Sequence, residues 1–391
     1  MNDKKYMGLK IGILGTRGIP NQYGGFEQVA EYLSAGLMQR GHEVMVYNSH
    51  KHPYQQKQWN GVPIIHCFDP EYLLGTTGQF IYDLNCILDA RKRNFDIVLM
   101  LGYTSSSVWK RLYPSKSIII SNMDGLEWNR AKYSRPVRRF LKYAEKLAVS
   151  SSHYHIADSE VIKEYLDYKY KIDCKYIAYG ADLHFKVDEK LLREFNLVKK
   201  DYFVSMARLE PENNVEMLLD GFSHCGSNKK FIVIGNTSNR YGKHLVNKFR
   251  HDDRIIFIGA LFDQQKIKTI IKLSNVYFHG HSVGGTNPSL LEAMAAEAFI
   301  AAHSNPFNKS ILRENAVYFT NVKEVTDILM KYEFIANEIF IQNNYATIRN
   351  EFTWDKIIGQ YDVYFRECYL AKSEPKFIPQ PHIIEQLVEV E

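Results

Sequence analysis

Short apolar segments alternate with segments of helical periodicity along the first half of the chain. Six runs, most of them containing β-branched residues, are predicted strands: 9–15, 43–48, 62–68, 96–101, 117–121 and 154–159. Runs that are apolar on both faces are typical of parallel strands covered by helices on either side. After the first strand, apolar residues recur at helical spacing from Phe26 to Leu37. This alternation predicts a doubly wound parallel-sheet domain of the α/β class.

The same alternation begins again in the second half. Helical segments separate five further predicted strands: 202–207, 230–235, 254–259, 276–280 and 299–304. The polar, irregular stretch 180–197 lies between the two sets. We therefore predict Rossmann-like domains at 1–183 and 184–358, followed by a helix and tail at 359–391 that pack back toward the first domain. Two such domains enclose a central cleft at the carboxyl ends of their strands, where ligands bind.

Length and composition fit two domains. The 391 residues are 45% hydrophobic, which is enough for two buried cores. The net charge of +5 suits an anionic small ligand or membrane surface and is too small to indicate nucleic acid.

Five scattered cysteines without a CxxC pair disfavour a disulfide framework or a zinc site and fit a reducing cytoplasm. No run approaches the roughly 18 apolar residues of a membrane span, and the first run is too short for a signal peptide, so we expect a cytoplasmic protein.

The loop after the first predicted strand, within ILGTRGIPNQYGGFE, is rich in glycine. Gly12, Gly15 and Gly18, from the strand into the loop, recur every third residue, which differs from the G-x-G-x-x-G pattern of a dinucleotide site. Gly24 and Gly25 precede the first predicted helix, where bare N–H groups and the helix dipole favour a phosphate. Glu27 is either an acid in the first helical turn, where it interacts favourably with the helix dipole, or a partner for Arg17. A glycine-rich turn with ordinary capping is the alternative interpretation.

Two loops of the second half also follow predicted strands. Arg208 stands at a strand end, where it could contact a phosphate through two hydrogen bonds, although a surface arginine is the alternative. The glycine-rich segment from Gly284 to Asn287 precedes a helix with Pro288 in its first turn. Glu292, one turn inside that helix, either binds ligand hydroxyl groups or is a solvated glutamate.

The segment after the 117–121 strand combines charged groups with an aromatic ring. Asp124, Glu127 and Arg130 lie near Trp128, a mixture found in carbohydrate sites. The helix that follows presents a basic face suited to an anionic membrane, with an ordinary solvated face as the alternative. Its basic residues are Arg135, Arg138, Arg139, Lys142 and Lys146.

Other kinds of chemistry find little support in the sequence. The fourteen histidines show no HxxxH or HExxH spacing, and no G-x-S-x-G elbow or Cys–His nucleophile pair is present. No carboxylate pair at glycosidase spacing is evident, which disfavours a double displacement. We therefore expect neither a metal ion nor a cofactor.

These segments together resemble GT-B glycosyltransferases of family 4, the retaining group that uses nucleotide sugars. The resemblance extends over roughly residues 8–370. YGGFE in the first loop and DGLEW at 124–128 further resemble bacterial rhamnosyltransferases that build capsule, exopolysaccharide or O-antigen repeats. The resemblance implies that the N-terminal domain binds the acceptor and the C-terminal domain binds the nucleotide sugar.

The resemblance also implies roles for individual residues. Arg208 would neutralise the leaving diphosphate, Glu292 would bind the ribose hydroxyls, and Asp124 would orient the acceptor or assist as a base; these three form the catalytic set. Donor contacts are expected from Gly24, Gly25, Arg208, Asn213, Gly284, Gly285, Thr286, Asn287 and Glu292. Acceptor contacts are expected from Arg17, Tyr23, Glu27, Asp124, Glu127, Trp128 and Arg130.

Two positions depart from the family pattern. Asn213 stands where many members carry a lysine after the arginine, and Lys243 or Arg240 could supply the missing cation. Gly284 replaces the first glutamate of the E-x7-E pattern, whereas Glu292 keeps the second. The loss of that carboxylate could suit a 6-deoxy sugar.

The function implied is transfer of L-rhamnose from dTDP-L-rhamnose to a saccharide acceptor linked to undecaprenyl diphosphate. We expect retention through front-face attack, in which a diphosphate oxygen takes the acceptor proton, and peripheral contact of 135–146 with the inner face of the cytoplasmic membrane. Two alternatives share the architecture. One is a nucleotide-sugar epimerase, which needs no acceptor, and the other is a non-catalytic subunit that binds a nucleotide sugar.

Overall fold

The structure is a computed structural model that describes residues 8–123 and 125–373. The strands are β1 (Lys10–Leu14), β2 (Glu43–Ser49), β3 (Gln58–Trp59), β4 (Val62–Cys67), β5 (Ile97–Leu101), β6 (Ile118–Asn122), β7 (Tyr154–Ala157), β8 (Lys175–Tyr176), β9 (Tyr202–Met206), β10 (Lys230–Ile234), β11 (Ile255–Gly259), β12 (Tyr277–His279), β13 (Ile300–His303) and β14 (Val317–Phe319). The helices are α1 (Gly25–Gln39), α2 (Glu71–Leu74), α3 (Gly78–Ala90), α4 (Arg135–Ser151), α5 (Glu160–Tyr170), α6 (Val215–His224), α7 (Arg240–Lys248), α8 (Gln264–Lys272), α9 (Pro288–Ala295), α10 (Pro306–Leu312), α11 (Val322–Ile335), α12 (Glu338–Thr347) and α13 (Trp354–Ser373).

The first sheet contains eight strands in the order β3-β4-β2-β1-β5-β6-β7-β8. Neighbouring strands are parallel except for β3 and β4, which are antiparallel. Every residue of β5 and β6 is buried because helices cover both faces of the sheet. Side chains alternate between the two faces, so Ile13 and Leu99 belong to one core cluster and Leu14 and Met100 to another.

The second sheet contains six strands in the order β11-β10-β9-β12-β13-β14, and all of its neighbours are parallel. Phe203, Phe231 and Phe278 from three adjacent strands pack on one face, with ring centroids 5.6 to 6.5 Å apart. The segment 180–197 lies between β8 and β9, and therefore between the two sheets.

The last helix returns to the first domain. The rings of Tyr32 on α1 and Trp354 on α13 stack with centroids 4.4 Å apart. Arg40 lies 2.7 Å from Asp355, and a Cβ on Gly36 would lie 2.5 Å from Ile358. Because α13 is continuous from its first residue, the predicted boundary between 358 and 359 falls inside this helix. The predicted tail at 374–391 lies outside the described residues.

The two parallel sheets confirm the predicted doubly wound α/β architecture. Predicted strands match β1, β2, β4 to β7 and β9 to β13 within two residues at each end. The strands β3, β8 and β14 were not predicted; β3 and β8 have two residues each, which is too short to show periodicity. Among the helices of the described ranges, none has the length and apolar character needed to cross a membrane.

Candidate active site

A cavity of about 460 Å³ lies between the two sheets. Its walls include the loops that follow β1, β5 and β6 in the first domain and β9, β11 and β12 in the second. These loops leave the carboxyl ends of parallel strands, where such sheets bind ligands. Most of the residues selected from the sequence line the cavity: Arg17, Tyr23, Gly24, Gly25, Glu27, Glu127, Arg130, Arg208, Gly284, Gly285, Thr286, Asn287 and Glu292.

The glycines of the β1–α1 loop serve two different purposes. Gly15 has a φ of +85°, and a Cβ there would lie 2.3 Å from the carbonyl oxygen of Leu101, so only glycine allows this approach to β5. Gly24 and Gly25 instead line the cavity, and no side chain caps the amino end of α1. A Cβ on Gly25 would lie 3.3 Å from Pro288, the first residue of α9. The amino ends of two helices, one from each domain, therefore meet at the cavity.

Arg17, in the same loop, is neutralised within its own domain. Its guanidinium donates to Glu71 from Nε at 3.0 Å and from Nη2 at 2.7 Å, and it lies 3.9 Å from the centre of the Tyr23 ring. Glu27 accepts a hydrogen bond from the backbone N–H of Arg17 at 2.9 Å. Glu27 and Arg17 are thus linked through the backbone, and this bond fixes the loop against α1.

Arg130, in the segment after β6, connects the two domains. Its Nη2 lies 2.6 Å from Oε1 of Glu127, and its Nη1 lies 3.7 Å from Oε1 of Glu212 in the second domain. Lys132 also lines the cavity and pairs with Glu210 at 3.4 Å. These two interdomain ion pairs place cations of the first domain beside the β9–α6 loop of the second.

Arg208 follows β9 and lines the cavity with an exposed side chain. Among the residues that the structure describes, none forms a hydrogen bond or an ion pair with its guanidinium. The buried Asn213 donates from its side-chain amide to the backbone oxygen of Arg208 at 2.7 Å, so it lies behind the loop and outside the cavity lining. Arg240 and Lys243, on α7, also lie outside the lining. The guanidinium of Arg208 is therefore available to an anion in the cavity.

The loop between β12 and α9 lies against the first domain. Gly284 has a φ of +138°, and a Cβ on Gly285 would lie 1.9 Å from a carboxyl oxygen of Asp158. The Thr286 hydroxyl donates to the backbone oxygen of Asp158. Asn287 caps the amino end of α9 with its side-chain oxygen. Glycine at 284 and 285 thus gives the loop the conformation and the space that it needs to contact the opposite domain.

Glu292 is buried one turn inside α9 and is held by the opposite domain. Nε2 of Gln28 on α1 donates to its Oε1 at 2.8 Å. Burial raises the pKa of Glu292, and the hydrogen bond from Gln28 opposes part of that shift. The sequence gives no signal for Gln28, because nothing in a single sequence links two polar residues 264 positions apart.

Trp128 is not found in the cavity lining. The indole N–H of Trp128 donates to Glu145 at 3.0 Å, and its ring lies 4.4 Å from the ammonium of Lys142, so the ring packs against α4. Asp124 falls outside the described residues.

The buried Asp83 lines the cavity although it was not selected from the sequence. Within the described ranges, no three histidine, cysteine, aspartate or glutamate side chains are grouped to hold a metal ion.

Two families match parts of the chain. Residues 188–336 match Glycosyl transferases group 1, and residues 9–182 match a domain of unknown function, DUF1972. No curated protein sequence matches the chain. The match over the second domain supports a glycosyltransferase.

Solved glycosyltransferase structures share the whole two-domain fold. Sucrose-phosphate synthase from Thermosynechococcus elongatus has a TM-score of 0.76 at 15% identity, covering 92% of this chain and 99% of that chain. Anabaena HepE, solved with UDP and glucose, has a TM-score of 0.71 at 15% identity, covering 91% and 99%. The catalytic domain of starch synthase IV from Arabidopsis thaliana, solved with ADP and acarbose, has a TM-score of 0.70 at 12% identity, covering 93% and 100%. These matches confirm the GT-B fold.

Proposed function

We propose that this protein is a retaining glycosyltransferase that moves L-rhamnose from dTDP-L-rhamnose to a saccharide carried on undecaprenyl diphosphate, in bacterial surface polysaccharide synthesis. The observation that carries the proposal is the interdomain cavity, in which the exposed guanidinium of Arg208 and the amino end of α9 lie together. The family match over residues 188–336 supports the reaction class.

The donor diphosphate would bind on the side of the second domain. A guanidinium forms paired hydrogen bonds with phosphate oxygens, and a helix amino end adds N–H groups and partial positive charge. Gly284 leaves open space, because a Cβ there would have no atom within 4 Å. Glu292 would accept hydrogen bonds from the sugar ring of the nucleoside in place of the one that Gln28 now donates.

The proposed reaction breaks the bond between C1 of the sugar and the diphosphate oxygen and forms a bond from C1 to the acceptor hydroxyl on the same face. Arg208 and the α9 dipole stabilise the negative charge that grows on the leaving diphosphate. A diphosphate oxygen takes the proton of the acceptor hydroxyl. Asp124 stays a prediction as the group that orients the acceptor. We also expect transfer to persist in the presence of EDTA, and loss of activity restored by Mg²⁺ would contradict this.

The choice of L-rhamnose rests on the resemblance of YGGFE and DGLEW to rhamnosyltransferases and on Gly284 in place of a carboxylate. The test is a panel of dTDP-L-rhamnose, UDP-glucose, ADP-glucose and GDP-mannose, scored for acceptor-dependent nucleotide release. Reaction with dTDP-L-rhamnose supports the proposal, and reaction with only the other donors refutes the sugar while keeping the transferase. Conversion of a nucleotide sugar without any acceptor would identify an epimerase instead, and binding without turnover would identify a non-catalytic subunit.

The surface beside the cavity supports contact with an anionic membrane. Arg135, Arg139 and Lys146 on α4 are exposed, and in the described part of the chain no ion pair involves them. The neighbouring helices α3 and α4 contact each other through Phe80 and Phe140, whose ring centroids are 5.7 Å apart. The short helix α2 packs on the start of α3 and precedes Thr76, which lines the cavity. It exposes three apolar side chains: Tyr72, Leu73 and Leu74. Basic and apolar side chains beside a cavity suit an acceptor that is anchored in lipid.

A further inference from the structure

Asp83 is a buried carboxylic acid in the wall of the cavity. It lies on α3, in the first domain, and its side chain is 4% exposed. Its Oδ2 accepts a hydrogen bond from the Ser105 hydroxyl at 2.5 Å. Within the described ranges, Ser105 is the only residue that forms a hydrogen bond or an ion pair with the Asp83 carboxyl. A carboxyl group has room for several donors, so hydrogen-bonding capacity remains toward the cavity.

The surroundings do not neutralise Asp83. Arg17 is near enough to favour ionisation of the carboxyl, but its guanidinium is engaged by Glu71 through two hydrogen bonds. Burial accordingly raises the pKa of Asp83 to about 7, against the opposing effects of Ser105 and Arg17. A buried carboxyl without a cationic partner lowers the stability of the fold, and such groups are characteristic of functional sites.

The chemistry around Asp83 indicates the class of ligand. Thr76, Gln79 and Thr104 also line this part of the cavity, and with Ser105 they provide hydroxyl and amide groups without a charge. A phosphate would be repelled by an ionised Asp83, whereas a carboxyl flanked by hydroxyls and an amide matches the alternating donors and acceptors of a saccharide. The position on the first domain, away from Arg208 on the second, separates this group from the proposed diphosphate site.

We propose that Asp83 and Ser105 form a subsite that binds a hydroxyl group of the acceptor saccharide. This inference rests on the proposed function, because it assigns the sugar acceptor to one wall of the same cavity. Asp83 accepts a hydrogen bond from the acceptor hydroxyl, and Ser105 holds the carboxyl in the orientation that leaves its second oxygen toward the cavity.

The test uses the full-length protein and its Asp83→Asn variant, which keeps the shape of the side chain and the partner of Ser105. Transfer of radiolabelled L-rhamnose from dTDP-L-rhamnose to a lipid extract of the encoding organism gives KM for the acceptor, and the same donor without extract gives the rate of hydrolysis. Asp89→Asn is the matched control, because Asp89 lies on the same helix but pairs with Tyr47 and Arg93 outside the cavity.

We expect Asp83→Asn to raise KM for the acceptor by about tenfold or more, the usual effect of losing a hydrogen bond to a charged group. KM for the donor and the rate of hydrolysis should stay within about twofold of the wild type, and Asp89→Asn should leave all three quantities there. An acceptor KM unchanged in Asp83→Asn would overturn the subsite. Equal losses of transfer and hydrolysis would also overturn it, because they would show an effect on the donor or on the fold.

A binding measurement covers the case in which the extract contains no acceptor. Saturation-transfer NMR with dTDP and a panel of methyl glycosides of rhamnose, glucose, galactose and N-acetylglucosamine reports contact with each sugar. We expect signals from at least one glycoside with the wild type, their loss with Asp83→Asn, and retained signals from dTDP with both proteins. A wild type that contacts dTDP but no glycoside overturns the subsite alone, whereas one that neither contacts dTDP nor hydrolyses any nucleotide sugar overturns the proposed function.

Discussion

The arginine side chains on the two walls of the cavity differ in whether they have a partner. On the first domain, Arg17 is held by Glu71, and Arg130 by Glu127 and Glu212. On the second domain, the exposed Arg208 lies in the cavity with no partner among the described residues, and two glycines precede the amino end of α9. The two arginines of the first wall are therefore bound by carboxylates of the protein, whereas the arginine of the second wall is available to a ligand.

Under the proposed function, this difference would let one cavity bind two unlike substrates. Arginines that are paired with carboxylates leave little positive field at the first wall, which suits a neutral saccharide. An unpaired guanidinium beside a helix amino end attracts a diphosphate. The contrast supports the proposal that the donor binds on the second domain and the acceptor on the first.

The largest expected effect comes from removing the available cation. Arg208→Ala should lower kcat by about 10²-fold or more, because charge on the leaving diphosphate would no longer be stabilised. Steady-state kinetics with dTDP-L-rhamnose measures this, and Lys243→Ala, an exposed cation on the same domain but outside the cavity, is the control. Equal kcat values for the two variants would remove Arg208 from the mechanism.

The basic face of α4 should contribute to binding at the membrane. Each basic residue near an anionic surface is worth about 1 kcal/mol, so Arg139→Ala with Lys146→Ala should weaken binding to vesicles rich in phosphatidylglycerol by about thirtyfold. Co-sedimentation measures the partition, with Arg240→Ala and Lys243→Ala as the paired control on the second domain. Binding that is unaffected in the α4 variant, or equally strong on neutral phosphatidylcholine vesicles, would argue against an electrostatic membrane contact.

A smaller effect is expected on the nucleotide. Glu292→Ala should raise Kd for dTDP by about tenfold, because the hydroxyl group of the deoxyribose would lose its hydrogen-bond acceptor. Calorimetric titration measures Kd, and Gln28→Ala provides the comparison, since it frees Glu292 without removing it. Equal weakening by both variants would show that the contact between the domains, rather than Glu292 itself, supports binding.

The smallest expected effect is on stability. The pKa of Asp83 is about 7 in the folded protein and near 4 for an unperturbed aspartate, so the folded state favours the neutral form. Stability due to this group is therefore lost as pH rises from about 4 through 7. Asp83→Asn should melt a few degrees above the wild type at pH 8 and at the same temperature at pH 4. A lower melting temperature at pH 8 would show that the carboxylate stabilises the fold.

Other groups near Asp83 influence this pH dependence. Arg17 from the β1–α1 loop favours its ionisation, and Asp69, which precedes α2, opposes it. Tyr82 and Cys86 on α3 and Tyr113 beyond β5 also lie close enough to interact. Their pKa values are all raised, so they remain neutral over the range from pH 4 to 8. The comparison of wild type and Asp83→Asn therefore reports the carboxyl itself.

The sequence predicts the fold well because the fold depends on local periodicity. Apolar runs located all the strands of four or more residues, and the sequence predicts that the glycine-rich loops after β1 and β12 line the cleft. β14, with three residues at the edge of the second sheet, was not predicted, although β12 of the same length was.

The site is less predictable, because its details depend on contacts between the domains. Gln28 and Glu292 meet only in the folded chain, and Trp128 packs on α4 because Glu145 accepts its indole N–H. Asp83, by contrast, could have been selected from the sequence. It occupies the buried stripe of α3 with Cys86 and Ala90, and a carboxylate among apolar positions is unusual.

Acceptor-dependent formation of dTDP from dTDP-L-rhamnose is the measurement that tests the central claim most directly. Wild-type protein, Arg208→Ala and Lys243→Ala would be incubated with lipid extract, and both dTDP and labelled lipid would be quantified. The account predicts equal amounts of the two products from wild type and Lys243→Ala, and about 10²-fold less of both from Arg208→Ala. Label transfer that does not depend on Arg208, or no transfer from any nucleotide sugar by the wild type, would contradict it.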